Sequence, residues 1–277
     1  LGIYWQDVQI HLTYSTIMIN VDDGKNTHTM FRKCYRHGIN MTAVLQASRA
    51  SRNALYQNAP YDRFETHLNH IQESSTHRIY PEWMVILAIG LASSAFCLIF
   101  GGHAVEALYT MLAAMAGALV RYLCSRVEFK VYVTIAASAF AATVTAYFTM
   151  YLPGAISPFL PIVACALTLI PGVPLINAVD DFLNNYLTSG MTRITHTLLI
   201  MLAMTFGIAG AVGITDVPSF TDVNIAPESL YLTQALAAAM AALGFSIMFN
   251  VPRRYIPAAC LGAIITVDER DVCMVLF

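Results

Sequence analysis

The chain has 277 residues, of which 57% are hydrophobic and only 12% are charged, and its mean hydropathy is +0.59. Soluble globular proteins carry about a quarter charged residues, so this composition places the chain among membrane proteins. It excludes a collagen, a disulfide scaffold and a disordered protein, because 15 glycines and 6 cysteines are too few and apolar residues abound. The net charge of −2 argues against a nucleic-acid partner.

Residues 1–82 form the polar part of the chain and predict a small cytosolic α/β domain. They hold 8 of the 15 Lys and Arg residues and contain no apolar run of membrane length. Polarity alternates from Val8 to Tyr14, as in a half-buried strand, and Ile17 to Val21 is a second β-rich segment. After the turn-forming residues 22–25, Thr27 to Phe31 can return as a hairpin strand.

Two helices are predicted to complete this domain. Asn40 can cap a helix from about Met41 to Asn58, and Pro60 can open another that runs to about Glu73. Because a domain of about 80 residues buries little core, we expect it to pack against a partner surface or against missing N-terminal residues. The sequence shows no signal peptide, and because it starts at Leu1 we expect a truncated N-terminus.

Six apolar stretches follow, each of about twenty residues, which is the length needed to cross roughly 30 Å of hydrocarbon. They are Trp83–Phe100, Val105–Tyr122, Val131–Leu152, Ile156–Val179, His196–Ile214 and Leu230–Val251. The sequence therefore predicts an α-helical polytopic membrane protein with about six transmembrane helices and a small N-terminal cytosolic α/β domain. Tyr80 and Trp83 flank the first span as expected interfacial anchors.

Lysine and arginine occupy alternate loops between these spans. They are Arg121, Arg126 and Lys130 at the second loop, Arg193 after the fourth span, and Arg253 and Arg254 after the sixth. The loops after the first, third and fifth spans contain none. The positive-inside rule therefore predicts a multi-pass protein of the plasma (inner) membrane, with its N-terminal domain and even-numbered loops in the cytoplasm.

The fourth span is unusual because it is rich in proline. It contains Pro158, Pro161, Pro171 and Pro174, with Gly172 between the last two. Each proline removes a backbone hydrogen bond, and broken backbone in a membrane needs protein or an aqueous cavity around it. The span therefore predicts a discontinuous helix whose second piece starts near Pro174 and offers its N-terminus to a carboxylate. Asn177 and Asp181 share a face of that piece, whereas Asp180 is rotated away.

An ordinary proline kink that only aids packing is an open alternative on these physical grounds, with both aspartates at the cytoplasmic interface.

The same region carries a resemblance. The stretch Pro171–Asp181 (PGVPLINAVDD), followed by Ser189-Gly190 and Arg193, resembles the signature of the threonine/serine exporter (ThrE-type) family. Asp23-Gly24 and Arg36–Met41 (RHGINM) resemble the N-terminal domain of the same family.

The closest version is the large component of a two-component succinate exporter. The segment Gly244–Arg254 (GFSIMFNVPRR) is similar to the opening of that system's small component, so the chain resembles the first half fused to the start of the second. The resemblance covers about residues 3–265 and divides the chain into three parts. They are an N-terminal domain over 1–82, a five-helix transmembrane domain over 83–214, and over 215–277 a linker with the first helix of a second half.

This resemblance implies export of small carboxylate-bearing metabolites, either threonine and serine or succinate, without a cofactor or metal. The substrate and transport residues that it implies are Pro171, Gly172, Pro174, Asn177, Asp181 and Arg193. Asp181 is the expected coupling or gating carboxylate, with Arg193 as its partner or as a cation facing the substrate. Gly190 also matches the family pattern, whereas Asn185 stands where many members have glycine.

The partners that the resemblance implies are the solute, the lipid bilayer and a second transmembrane half or partner subunit, with a homo-oligomer as a further option. The proline-glycine segment expected of the second half is absent, and the tail Asp268–Phe277 no longer resembles the family. We therefore expect a fragment or a broken reading frame, in which a site shared between halves is half present.

Two other classes of function stay open. A membrane-anchored enzyme could use Ser15, His37 and Asp22 or Asp23, the residue types of a hydrolytic triad, although no motif places them together. A non-transporting assembly subunit is the third class. Dependence of the function on Asp181 separates transport from both alternatives.

Two weaker candidate sites have ordinary explanations. Glu106 lies one helical turn after His103 at the outer start of the second span, where we expect it to be solvated. Four residues recur at helical spacing in the N-terminal domain without a metal-binding motif, and we expect a solvated face. They are His67, His70, Glu73 and His77.

Overall fold

The computed structural model describes residues 8–13, 15–22, 25–33, 39–57, 61–75, 78–154, 159–215 and 231–276. The three strands described are β1 (Val8–Leu12), β2 (Thr16–Asp22) and β3 (Thr27–Lys33). The helices described are α1 (Met41–Gln57), α2 (Tyr61–Ser75), α3 (Glu82–Ile99), α4 (Ala104–Arg126), α5 (Val131–Phe148), α6 (Phe159–Leu169), α7 (Gly172–Leu183), α8 (Leu187–Thr215), α9 (Tyr231–Met248) and α10 (Ile256–Leu276). They belong to two compact units, the first made of Leu1–Gly38 and Ile170–Leu202, the second of Ile39–Leu169 and Ala203–Phe277.

The first unit contains an antiparallel sheet in the order β1-β2-β3. Ile19 of β2 pairs with Ile10 on one side and with Met30 on the other, so alternating apolar positions of the three strands share one face. This small sheet and the helices after it confirm the predicted fold class. The turn residues Asp23 and Gly24 lie outside the described part of the chain.

The second unit is a bundle in which α3, α4, α5, α6 and α9 pack against one another. Its interior consists mainly of small side chains. Such side chains let helix backbones approach closely, and this close packing stabilises helix pairs in a membrane, where the hydrophobic effect does not drive their association. The residues at the centre of one cluster are Ala113, Ala114, Ala142, Ala146, Ile162 and Cys165. The alanine-rich stretches of the sequence therefore form the helix contacts of this bundle.

Four described helices are long and apolar enough to cross a membrane, and α6 and α7 pass the same test as a broken pair. The four are α3, α4, α5 with its one-turn extension to Tyr151, and α8. The first five predicted spans correspond to these elements. The sixth corresponds to α9, whose apolar part Leu232–Met248 is shorter than the others. By length and composition, the described helices thus provide four crossings, or five with the broken pair.

Asn250, between α9 and α10, joins three distant segments of the second unit. Its side-chain oxygen accepts a hydrogen bond from the Ile79 amide (2.9 Å), and its side-chain nitrogen donates to Oδ1 of Asn40 (2.8 Å). Its carbonyl accepts a hydrogen bond from the Thr42 hydroxyl (2.6 Å). Asn250 is buried and has φ of 57°, a left-handed conformation that asparagine tolerates better than most residues.

Tyr80 belongs to the same junction, which corrects one expectation. The sequence predicted an interfacial anchor, but Tyr80 is only 2% exposed, and its hydroxyl donates to the Val251 carbonyl (2.9 Å). A phenol that is buried needs such a partner, and the chain after α9 supplies it. Trp83, by contrast, is exposed, and its role as an interfacial anchor stays a prediction.

We expect Asn250→Ala to lower the free energy of unfolding by about 3 kcal/mol, since it strains the left-handed backbone and removes the side-chain partner of the Ile79 amide and of Asn40. Asn185→Ala is the matched control, because Asn185 also has positive φ (63°) but is exposed, so only the backbone cost of about 1 kcal/mol applies. Thermal denaturation of both variants in detergent measures the difference. Equal losses would contradict the role of the Asn250 side chain.

Candidate functional site

The predicted break in the fourth span lies at Ile170 and Pro171. Helix α6 ends at Leu169 and α7 begins at Gly172. Pro171 has φ of −78° and ψ of 65°, and the Gly172 amide donates to the Ile170 carbonyl (2.8 Å), which together define an inverse γ-turn. Because Pro171 has no amide hydrogen, the chain turns here without leaving a donor unpaired.

The start of α7 offers fewer amide donors than an ordinary helix N-terminus. The Gly172 amide is engaged in the γ-turn, Pro174 has none, and the first helical bond runs from Leu175 to the Pro171 carbonyl (3.2 Å). Within the described residues, Val173 therefore holds the remaining amide of this turn. A Cβ atom placed on Gly172 would meet nothing within 4 Å, so the space beside it is open.

Asp181 and Arg193 form an ion pair within the helical hairpin made of α7 and the start of α8. Oδ2 of Asp181 accepts hydrogen bonds from Nε of Arg193 (3.0 Å) and from the Ser189 hydroxyl (3.0 Å). Ser189 and Arg193 are one turn apart on α8, so both reach the same oxygen. The Asp181 and Arg193 side chains are 18% and 25% exposed, so this charge pair is largely removed from solvent.

Gly190 and Asn185 shape the hairpin around this pair. A Cβ atom on Gly190 would lie 2.7 Å from the Phe182 ring and 3.1 Å from the Ala178 carbonyl, so only glycine lets α8 approach α7 this closely. Asn185 has φ of 63° in the connecting turn. Asparagine tolerates this left-handed backbone better than most residues other than glycine.

Asn177 and Asp180 both lie on the exposed side of α7. Asn177 is one turn before Asp181, and in the part of the chain that is described no residue forms a hydrogen bond with its side chain. The Asp180 carboxylate accepts a hydrogen bond from Asn184 (3.2 Å) and contacts neither Ser189 nor Arg193. The hairpin thus separates two adjacent carboxylates into one that is paired and one that is solvated.

Sequence reasoning missed Ser189 as a second donor to Asp181. Ser189 lies four residues before Arg193, and this spacing indicates that the two side chains share a face of α8. The spacing points to Asp181 only when the position of the turn between α7 and α8 is known.

The expectation for Glu106 was wrong. Glu106 is only 3% exposed, and its Oε2 atom accepts a hydrogen bond from the His103 amide (3.0 Å). The third residue of a helix can reach back to the residue that caps it, and in α4 this bond keeps the carboxylate inside the bundle. The sequence could not show that neighbouring helices cover this turn.

The candidate enzyme residues lie apart where they are described, and the candidate metal residues His67, His70 and Glu73 all lie on α2. Ser15 precedes β2 and Asp22 ends it, so they lie at opposite ends of a strand, roughly 20 Å apart. Asp23, His37 and His77 lie outside the described residues. Among the described residues, no three His, Cys, Asp or Glu side chains cluster as metal ligands would.

Comparison with known proteins gives consistent results. The profile of the ThrE family, described as "Putative threonine/serine exporter", matches residues 1–215. The chain is 29% identical over 199 residues to the "Probable succinate transporter subunit YjjP" of Escherichia coli (strain K12), covering 72% of this chain and 76% of that protein. The protein of the same name from Klebsiella aerogenes is 28% identical over 196 residues, covering 70% and 74%. No solved structure matches the chain.

Proposed function

Because this chain belongs to the threonine/serine exporter (ThrE) family, we propose that it is a secondary transporter that exports small carboxylate-bearing metabolites. The observation that carries this proposal is the ion pair of Asp181 and Arg193, in the hairpin that α7, the second half of the broken span, forms with the start of α8. Ionisable side chains are costly in membrane segments and concentrate on transport pathways. The names of the family and of its relatives make threonine, serine and succinate the candidate substrates.

The proposed mechanism is alternating access around the break between α6 and α7. A substrate carboxylate approaches the positive end of α7, where the Val173 amide and the helix dipole favour a negative charge. Pro171, Gly172 and Pro174 keep this end of the helix open. Asp181 then exchanges its bond to Arg193 for a proton or a coupling ion as the site changes from facing one side of the membrane to facing the other. Asn177 lies one helical turn before Asp181, on the proposed path of the solute.

The proposed orientation places the N-terminal domain in the cytoplasm of a cell whose plasma membrane holds the spans. The support is the distribution of cations, which fall in alternate loops along the chain. In this orientation the solute enters from the side of the loop that holds Lys130, and leaves on the side of Tyr151.

The proposed partner is a second transmembrane half, supplied as a separate subunit or as the rest of a longer chain. Both relatives are named as subunits of a transporter. Helix α9, which the sequence places at the start of the second half, packs along α3 so closely that a Cβ atom on Gly244 would lie 2.5 Å from the Ala88 carbonyl. This contact is our proposal for how the first helix of the second half attaches to the first half.

An enzymatic role confined to the N-terminal domain has little support, because Ser15 and Asp22 are separated by the length of β2. An assembly subunit that does not transport is the remaining alternative.

The experiment that tests the proposal is efflux of labelled threonine, serine and succinate from preloaded proteoliposomes. The chain is reconstituted alone and together with the proposed second half. Efflux of one solute that exceeds the leak of empty liposomes establishes export and identifies the substrate. If a folded and correctly oriented complex releases none of the three, the substrate assignment is wrong and an assembly role takes its place.

A further inference from the structure

Glu106, in the first turn of α4, is the only charged side chain that is buried among the residues that the structure describes. One hydrogen bond reaches its carboxylate within that part of the chain, from the His103 amide to Oε2 (3.0 Å). This bond satisfies a backbone donor at the start of the helix. A backbone amide carries no net charge, so it leaves the negative charge of Glu106 uncompensated.

The helices that surround Glu106 carry no lysine or arginine. The sequences of α3, α5, α6 and α9 contain none, and the first one on α4 is Arg121, about 22 Å further along the helix axis. An ionised carboxylate inside a membrane bundle is costly without a cation beside it, and a proton removes that cost. Burial without a cation therefore favours a carboxyl group that binds a proton.

The titratable groups around Glu106 provide no fixed positive charge either. On α3, the buried Cys97 thiol interacts electrostatically with the Glu106 carboxylate. Just before α4, His103 is exposed, so the aqueous phase reaches the residue whose amide binds the carboxylate. The other titratable side chains of the helices packed here are Tyr109 on α4, Tyr132 and Tyr147 on α5, and Cys165 on α6, and α9 has none between Leu232 and Met248.

The turn that holds Glu106 packs against the first half of the broken span. Ala107, the next residue of α4, forms a buried cluster with Cys97 of α3 and Ala164 of α6, and Leu160 of α6 packs against it. A neutral carboxyl group is compatible with this dry contact, whereas an ionised one favours water between α4 and α6. The protonation state of Glu106 therefore bears on the packing of α6, the helix that ends at the break.

We propose that Glu106 binds the proton that is exchanged for the exported solute, on the side of the membrane that His103 faces. The inference rests on the proposed export function and adds to it a coupling ion and a site for that ion. A proton from water forms an O–H bond with the carboxylate and neutralises it, and the bond breaks to return the proton to water once the site faces the other side. In the proposed orientation, the proton enters on the side where the solute leaves.

The first test is labelling of the purified full chain with dicyclohexylcarbodiimide, an apolar reagent that modifies protonated carboxyl groups in apolar surroundings. We expect mass spectrometry to find the adduct on Glu106, and its yield to fall as the pH is raised. The adduct should be absent in Glu106→Gln and unchanged in Asp181→Asn, which removes the other carboxylate proposed for coupling. This measurement requires no transport.

The second test is efflux from proteoliposomes that hold the chain with its proposed second half in one orientation. Acidifying only the compartment that His103 faces should raise wild-type efflux several-fold. Glu106→Gln keeps an oxygen that accepts from the His103 amide but cannot bind a proton, so its efflux should change within about twofold. Glu106→Asp should retain part of the response, because it still titrates.

Glu82→Gln is the matched control, because Glu82 is a half-exposed carboxylate at the opposite end of α3, paired with Arg78. It should respond to acidification as the wild type does. Melting temperatures verify that the variants are folded.

The outcomes separate this site from the export proposal. Labelling of Glu106, with loss of the pH response in Glu106→Gln alone, supports the site. Labelling in a complex that releases no solute supports the proton site and contradicts export. Efflux by a wild type whose Glu106 is not labelled at any pH, or a folded Glu106→Gln variant with the wild-type pH response, overturns the site and leaves export standing. If Glu106→Gln does not fold, absence of labelling in the wild type overturns the site by itself.

Discussion

Replacing Asp181 by asparagine is expected to reduce solute efflux at least tenfold, a loss of about 1.4 kcal/mol or more in the limiting step. Asparagine keeps the size of the side chain but removes the negative charge that pairs with Arg193 and accepts from Ser189. If Asp181 also binds the coupling proton, the efflux that remains in Asp181→Asn should lose its dependence on pH. Initial rates in proteoliposomes, normalised to the amount of reconstituted protein, measure both effects.

The neighbouring carboxylate provides the matched control for this experiment. Asp180 has the same chemistry, lies on the same helix and bonds only with Asn184 among the described residues, so Asp180→Asn should stay within twofold of the wild type. A structural contribution of Asp181 is measured by Ser189→Ala, which removes one hydrogen bond and keeps the charge pair. Equal efflux in Asp180→Asn and Asp181→Asn, both folded, would contradict the assignment of Asp181.

Gly190→Ala is expected to destabilise the α7–α8 hairpin by about 1–3 kcal/mol, the usual cost of an overpacked contact. The added methyl would overlap the Phe182 ring at 2.7 Å, and the Ala178 carbonyl at 3.1 Å leaves little room to move. Separation of α7 from α8 would also lengthen the hydrogen bonds that Ser189 and Arg193 donate to the Asp181 carboxylate. The variant should therefore melt earlier than the wild type and export more slowly.

Two further variants separate this effect from glycine's general cost in helices. Gly213→Ala lies on the same helix with nothing within 4 Å of the new Cβ, so it should be neutral or stabilising by about 0.5–1 kcal/mol. Phe182→Leu in the Gly190→Ala background should restore part of the lost stability, because it removes the ring from the contact. Equal melting temperatures for Gly190→Ala and Gly213→Ala would show that the helices do not need this close approach.

Local sequence patterns were sufficient to predict most elements of the fold. Alternating polarity predicted β1, and a β-rich segment predicted β2. The asparagine at position 40 and the proline at position 60 marked the starts of α1 and α2, and apolar length predicted α3 to α5. The break at Pro171 followed from the cost of proline in a helix, and the family signature singled out the two residues that form the ion pair. How those residues act in transport stays a prediction.

Contacts between distant segments could not be predicted in the same way. Asn250 bonds with Asn40 across 210 residues of sequence, and no periodicity within either segment records that bond. Glu106 looked like an interfacial carboxylate because its burial depends on the helices that surround α4.

The central claim, that the broken span lines the path of the solute, is tested most directly by the reactivity of a cysteine at position 177. Asn177 is exposed and lies one turn before Asp181, so Asn177→Cys, in a cysteine-free chain that retains efflux, should react with a membrane-impermeant maleimide. A saturating concentration of the exported solute should slow that reaction several-fold, while Lys130→Cys, in an exposed loop, should react at the same rate with and without solute. Unchanged reactivity of Asn177→Cys under conditions of active efflux would contradict the claim.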